Sequence, residues 1–175
     1  MADLSHCQPN QLARRAWLWR WGSLLVLSPI AVGLGALLTP VAAVAMLPIW
    51  ALCRRAGALA HAGAAGELAA LRAFKALPDD HIVFNQVRLP CPAAYDGFLE
   101  ADYVVVAPHR VAVVEVKNNP GEIQAAVKGA SWNIVRHSKM ATMRSPSLQV
   151  MRHVAALGGW LRTHGAPSVW VEPAV

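Results

Sequence analysis

The hydrophobic and polar positions divide the chain into an apolar N-terminal part and a patterned remainder. Residues 21–53 carry no charged side chain, and Leu, Val, Ala and Ile dominate them. Residues 67–77 then place apolar side chains three positions apart, which predicts an amphipathic helix. β-Branched residues fill two short runs, 104–106 and 111–116, which predicts two strands. This order of elements indicates an α/β domain after the apolar segment.

Weaker patterns complete the predicted domain. Alternation over residues 82–89 predicts a first strand, and short strands packed on the same sheet are expected within 123–135. Ser145 and Pro146 are typical of a helix start, because serine caps the first turn and proline fits its first position. A last strand is expected over 168–171. The predicted buried face of the second helix comprises Leu148, Met151, Val154, Ala155, Leu157 and Leu161.

The uncharged segment is long enough to cross a bilayer, since one spanning helix needs about 20 apolar residues. Thr39-Pro40 near its middle indicates a turn, so we predict a transmembrane hairpin with arms 17–38 and 41–53. The flanking basic residues are Arg14, Arg15, Arg20, Arg54 and Arg55. The positive-inside rule places both flanks in the cytoplasm, which predicts a multi-pass protein of the inner membrane. A single long span and a signal peptide stay open as alternatives.

The two β-branched runs bring three charged side chains together if they form a hairpin. A turn centred on residues 108–109 places Asp102 opposite Glu115, so the two carboxylates share one face of the sheet. Lys117 returns to that face two residues later. Two carboxylates this close repel, and their oxygens are the ligands of a hard cation such as Mg²⁺. The alternative is a solvent-facing ion pair between Lys117 and one of the two acids.

Charge adds a possible partner to this centre. The chain has 175 residues and a net charge of +6. Residues 123–171 contain no acidic side chain, and their basic residues are Lys128, Arg136, Lys139, Arg144, Arg152 and Arg162. An acidic centre beside a basic tract suits a phosphodiester that bridges them. Attraction to anionic lipid headgroups is the alternative.

The cysteines and the late histidines do not indicate a second metal site. The three cysteines lack the paired spacing of a disulfide framework or a zinc site. His137, His153 and His164 do not share an i, i+4 spacing on one helix, so we interpret them as surface residues and not as zinc ligands.

Several short motifs occur in a set order after the apolar segment. They are Gly66-Glu67, Leu77-Pro78, VFNQVRLP (83–90), EADYVVV (100–106), VVEVKN (113–118), Gly121-Glu122-Ile123, Trp132 and SPSLQ (145–149). With these motifs the chain resembles the nuclease-related domain (NERD), a family of the PD-(D/E)xK nuclease superfamily. The resemblance implies a restriction-endonuclease-like core with a helix, a mixed β-sheet, a helix and a strand. It also implies hydrolysis of phosphodiester bonds with Mg²⁺ or Mn²⁺.

The resemblance implies roles for individual residues. Asp102 matches the metal-binding aspartate of the second core strand, although Ala and Tyr flank it where the family tends to have Ile and His. Glu115 and Lys117 match the ends of the ExK element. Glu67 matches the acidic residue of the first helix, where a carboxylate in the first turn also suits the helix dipole. Gln149 matches the glutamine that follows the Ser-Pro pair.

The sequence thus predicts a membrane-anchored, metal-dependent endonuclease that acts on DNA. The metal ligands are expected to be Asp102, Glu115 and the carbonyl of Val116, with Lys117 orienting or deprotonating the attacking water. The predicted nucleic-acid-binding residues are Lys128, Arg136, Lys139, Arg144 and Arg152. A second hypothesis is a catalytically inactive module that binds nucleic acid or a partner at the membrane. A third gives the function to the membrane hairpin itself.

Four segments are expected along the chain. They are a cytoplasmic tail over 1–16, the transmembrane hairpin over 17–55, a linker over 56–65 and the nuclease-related domain over 66–175. The lipid bilayer is therefore a predicted partner through the second segment, and nucleic acid through the fourth.

Overall fold

A computed structural model describes most of the chain. The described residues are 1–9, 11–22, 25, 28–30, 32–33, 47–125 and 129–175. They form two compact units, one of Met1–Gln8 with Ala69–Val175 and one within Pro9–Leu68. The described strands are β1 (Ile82–Pro90), β2 (Phe98–Ala107), β3 (Arg110–Val114), β4 (Glu122–Gln124), β5 (Ser131–Arg136), β6 (Lys139–Arg144) and β7 (Val171–Ala174).

Helices precede and follow the strands. Helix α1 spans Gln11–Trp17 and is followed by a π-helical turn over Leu18–Gly22. Helix α2 spans Leu47–Phe74, and α3 spans Pro146–Thr163. The predicted linker 56–65 lies inside α2, because its six alanines have the highest helix propensity of any residue type.

The prediction of a transmembrane hairpin is wrong for the described chain. No helix within the described ranges is long and apolar enough to cross a membrane. The predicted second arm does not end at Cys53, since α2 continues through Arg54 and Arg55, and these charges interrupt the apolar run. The predicted turn at 39–40 and much of both arms lie outside the described residues. The same finding corrects the predicted multi-pass location and the bilayer contact through residues 17–55.

The main sheet has the strand order β1-β2-β3-β7. Strands β1, β2 and β3 are antiparallel neighbours, and β7 pairs with β3 in parallel. The turn between β2 and β3 pairs Ala107 with Arg110, and the ladder continues to Tyr103 opposite Val114. This confirms the predicted register of the hairpin. The final strand begins at Val171, three residues later than expected.

Both faces of the main sheet are covered. On one face, Tyr103 is 2% exposed and its ring meets Phe74 of α2 edge-on, with ring centroids 4.9 Å apart. On the other face, Val113 packs in one buried cluster with Val150 and Leu157 of α3. The second face is the one that carries the predicted acid pair, because Val113 and Glu115 are two positions apart along the chain.

The N-terminal residues belong to the same unit as this sheet. The N–H of Asp3 donates to the carbonyl of His81 at 2.8 Å, and the N–H of Val83 donates to the carbonyl of Asp3 at 3.0 Å. The Asn85 amide exchanges hydrogen bonds with the backbone of Gln8, at 2.6 and 2.9 Å. Met1–Gln8, expected to be part of a tail, is therefore held against the edge of β1.

Strands β4, β5 and β6 form a second antiparallel sheet, which is separate from the hydrogen-bonded ladder of the main sheet. Their closing turn at His137-Ser138 has φ values of 48° and 62°, as a two-residue hairpin turn requires. Gly121 has a φ of 124°, and a Cβ there would lie 2.6 Å from the carbonyl oxygen of Val135. A side chain would not fit at this position, so glycine allows the backbone to pass close to β5 just before β4 begins.

The predicted fold class, a restriction-endonuclease-like core behind two transmembrane helices, is therefore wrong. The described chain is a mixed α/β protein with two sheets and few helices, none of which could span a membrane. The second sheet forms because its strands pair with strands that are close to them in the chain. Among the described residues, strands β4, β5 and β6 pair only with one another, whereas β7 joins the main sheet beside β3.

Candidate functional site

Asp102 and Glu115 meet beside the end of the β2–β3 hairpin. Continuing the register one position past Tyr103 and Val114 places these two residues opposite each other. The N–H of Glu115 donates to the carbonyl of Ala174 in β7 at 2.9 Å, which holds that position in the sheet. The N–H of Val116 donates to Oδ2 of Asp102 at 2.7 Å. The backbone after β3 therefore restrains the Asp102 carboxylate directly and fixes the main chain that carries Glu115.

Lys117 joins the two acids from the same strand end. Its ammonium forms an ion pair with Oε1 of Glu115. The lysine side chain is 26% exposed and the glutamate side chain only 1%. The amine therefore lies between the buried carboxylate and solvent. The structure thus brings together three of the sequence-predicted residues on one face of the sheet.

The buried position of Glu115 changes its acidity. Burial raises the pKa of this carboxyl, the hydrogen bond from Lys117 lowers it, and the nearby charge of Asp102 raises it again. The result is a pKa of about 6 against an ordinary value of 4.5. A cation placed beside Glu115 would lower the pKa of this carboxyl strongly, because burial weakens solvent screening.

His153 faces Glu115 from α3, and its interpretation as a surface residue is wrong. It is 3% exposed, and its Nδ1 lies 3.5 Å from Oε2 of Glu115. That separation exceeds a normal hydrogen bond, and neither atom has a hydrogen-bond partner among the described residues. Burial lowers the pKa of His153, so its ring is neutral at neutral pH and the contact is not an ion pair.

The face that α3 buries differs from the predicted one. The buried residues are Pro146, Val150, His153 and Leu157, whereas Leu148 and Met151 are exposed. The spacing of the buried set is four, three and four, the period of a helix face. The predicted set omits both Val150 and His153, and it therefore places the buried face on a neighbouring stripe of the helix. Including histidine in the pattern would have found this residue.

The other two predicted site residues, Gln149 and Glu67, lie on helices. Gln149 is partly buried one turn before His153, and its backbone N–H donates to the carbonyl of Ser145 at 3.2 Å. Glu67 is 6% exposed and lies in the last third of α2, because that helix begins at Leu47. The expectation that Glu67 occupies a first helical turn is therefore wrong.

Gln86 is a residue near the site that the sequence pattern did not reveal. The pairs Asn85–Tyr103 and Val87–Ala101 place it across from Asp102 on β1. Its φ is 52°, a left-handed conformation that is uncommon for a residue with a side chain. Such backbone outliers often occur beside functional groups. No sequence signal marks a glutamine inside a regular strand for this conformation.

The donors in the site fit a hard divalent cation. Among the described residues there is no group of three His, Cys, Asp or Glu side chains placed to hold a metal ion. The site instead offers two carboxylates and the peptide carbonyl of Val116, which are the oxygen donors that Mg²⁺ accepts. Oε2 of Glu115 is buried without a hydrogen-bond donor, and such an acceptor gains from a cation. Mg²⁺ commonly completes its shell with water and phosphate oxygens.

The predicted nucleic-acid-binding residues lie mainly on the second sheet. Arg136, Lys139 and Arg144 are exposed there, and Arg152 is exposed on α3. Lys128 lies outside the described residues. Arg136 and Lys139 are directly opposed across the β5–β6 turn and line a surface pocket of about 380 Å³. Directly opposed like charges destabilise a sheet, so an anion between them would be stabilising.

The geometry defines an α/β protein with two carboxylates and a lysine converging at the end of a strand hairpin. The family model described as nuclease-related domain (NERD) matches residues 62–175, well over half of the chain. The chain belongs to this family, and the match begins four residues before the predicted boundary. A comparison with curated proteins found no match, and neither did one with solved structures.

Proposed function

We propose that this nuclease-related protein hydrolyses phosphodiester bonds with the help of a divalent metal, and that its substrate is DNA. The observation that carries the proposal is the convergence of Asp102, Glu115 and Lys117, with Oε2 of Glu115 buried and lacking a donor. The family match supports the nuclease-related part of the proposal. The metal and the DNA substrate rest on the chemistry of the side chains.

Each residue has a distinct task in this proposal. Asp102, Glu115 and the carbonyl of Val116 would hold Mg²⁺, which supplies Lewis acidity at the scissile phosphate and lowers the pKa of a bound water. The N–H of Val116 restrains the Asp102 carboxylate, so little reorganisation is needed. Lys117 stands between the buried carboxylate and solvent, where its ammonium can bind a phosphate oxygen and orient the attacking water. In its neutral form the amine could instead accept a proton from that water.

Metal-dependent cleavage tests this function. The full chain is expected to convert supercoiled plasmid to nicked or linear DNA with Mg²⁺ or Mn²⁺, and not with EDTA. Asp102→Asn should lower the rate at least about 100-fold and weaken Mn²⁺ binding measured by calorimetry, because the carboxylate ligand supplied by β2 is lost. Asp96→Asn is the matched control, since Asp96 is exposed and pairs with Arg88 at 3.2 Å. Equal rates in the two variants would remove the proposed mechanism.

A catalytically inactive binding module is the second candidate. It is favoured by the lack of a three-group metal cluster in the described part and by the lysine already paired with Glu115. Plasmid binding without cleavage in any of the metal conditions would support this module.

The opposed pair at the tip of the second sheet is the proposed anchor for the nucleic-acid backbone. Replacing both Arg136 and Lys139 with alanine should lower affinity for duplex DNA and reduce the slope of log affinity against log salt by about 2, because two phosphate contacts are lost. The charge-matched control replaces Arg72 and Lys75, which are exposed outside the basic tract. Fluorescence anisotropy at several salt concentrations measures both. An identical slope change in the control would show that only net charge matters.

A further inference from the structure

Among the buried polar groups to which the proposed mechanism gives no task, His153 is placed closest to the reacting centre. It lies on the buried face of α3 between Val150 and Leu157, which are 1% and 8% exposed. Its ring points at Glu115, with Nδ1 3.5 Å from Oε2. Both atoms are buried, and neither has a hydrogen-bond partner in the described part of the chain.

A histidine that only filled space would be a poor choice here. A buried nitrogen and a buried oxygen without partners both destabilise the fold, and an apolar side chain of similar size would remove one of them. The two atoms can satisfy each other, since a neutral imidazole can donate from Nδ1 and a carboxylate accepts. A closer approach of about 0.6 Å would bring them to the usual hydrogen-bond distance.

We propose that His153 is a positioning residue whose Nδ1–H holds Oε2 of Glu115 and so orients this carboxylate for the divalent cation. Lys117 contacts the other oxygen, Oε1, so the carboxylate is held from both sides. Carboxylate ligands of metals are commonly hydrogen-bonded in this manner, and loss of such a contact typically costs 10- to 100-fold in metal affinity. The inference rests on the proposed metal-dependent function.

The test separates the hydrogen bond from packing with three variants of the full chain. His153→Leu removes the donor and keeps most of the volume. His153→Asn keeps an N–H donor near the position of Nδ1. Val150→Ala, one turn earlier on the same buried face, disturbs packing and removes no polar group. Calorimetric titration with Mn²⁺ alone measures metal affinity, and thermal unfolding in EDTA measures stability.

The leucine variant is expected to lose about 10- to 100-fold in Mn²⁺ affinity, and the asparagine variant to recover most of that loss. Val150→Ala should lower the unfolding temperature and keep the affinity of the parent chain. In the cleavage assay, raising the Mn²⁺ concentration by the same factor should restore the rate of His153→Leu. If His153→Leu does not fold, His153→Phe removes the donor in its place.

Two results would overturn the inference while the proposed function stands. One is parent-like Mn²⁺ affinity in His153→Leu, and the other is an asparagine variant as weak as the leucine variant. If the parent chain itself binds no Mn²⁺, the proposed function and the inference fail together.

Discussion

Replacing Lys117 with methionine is expected to reduce metal-dependent DNA cleavage about 1,000-fold while Mn²⁺ affinity stays equal or increases. The cleavage rate and the metal affinity are expected to change differently because the lysine affects the site in two ways. Its ammonium is paired with Oε1 of Glu115 and so competes with a cation for that carboxylate. It is also the one cation within hydrogen-bonding distance of this carboxylate among the described residues. In the proposed mechanism it supplies the positive charge or the proton transfer.

Two further variants sharpen this prediction. Lys117→Arg keeps a positive charge beside Glu115, but its guanidinium does not release a proton in a protein. Residual cleavage well above the methionine variant would indicate charge stabilisation, and cleavage as low as the methionine variant would indicate proton transfer. Lys75→Met, an exposed lysine after α2, should cleave like the parent chain. A methionine variant at position 117 that cleaves at the parent rate contradicts the proposed role.

The second large effect concerns stability and pH in the absence of metal. Burial raises the pKa of Glu115 to about 6 from an ordinary 4.5, so the folded chain binds its proton more tightly than the unfolded chain. The resulting stabilisation is fully present below pH 4.5 and is lost as the pH rises through about 6. The expected loss attributable to this group is about 2 kcal/mol, from 1.36 kcal/mol per pKa unit.

Glu115→Gln should remove that pH dependence, because glutamine resembles the protonated acid and does not titrate. Urea unfolding in EDTA between pH 4.5 and 8 measures the free energy of unfolding of both chains. The groups that face Glu115 are Lys117, Asp102 and His153, and both chains contain them, so the difference isolates Glu115. Glu100→Gln, an exposed acid on β2, is the control. A parent chain that becomes more stable than the glutamine variant above pH 6 would contradict the prediction.

Local signals in the sequence predicted the central hairpin well. The β-branched runs and the short turn between them define the register, and that register alone sets Asp102 opposite Glu115. Lys117 follows from the period of two along a strand. These three residues were placed correctly because every contact between them lies within 16 residues of chain and depends on one tight turn.

Other features of the fold depend on which segments pair or join with one another, and the sequence pattern does not decide between these alternatives. The alanine-rich stretch 56–65 could be a linker or part of a helix, and its continuity with the segments on either side made it part of α2. The sequence pattern also allowed strands β4 to β6 to extend the main sheet. In the structure their backbone hydrogen bonds are made to one another instead. The apolar run before residue 54 predicts a membrane hairpin from its composition alone, and composition does not define where the helices begin and end.

The sequence by itself determined the acid pair, the lysine beside it and the basic tract, because each follows from neighbouring positions on one strand or one segment. Only the tertiary structure decided that His153 belongs beside Glu115. The two residues are 38 positions apart, and they meet because α3 packs its Val150–Leu157 face against the sheet. Side-chain partners across a helix–sheet contact are set by how the two surfaces interlock, and that interlocking is a property of the folded chain.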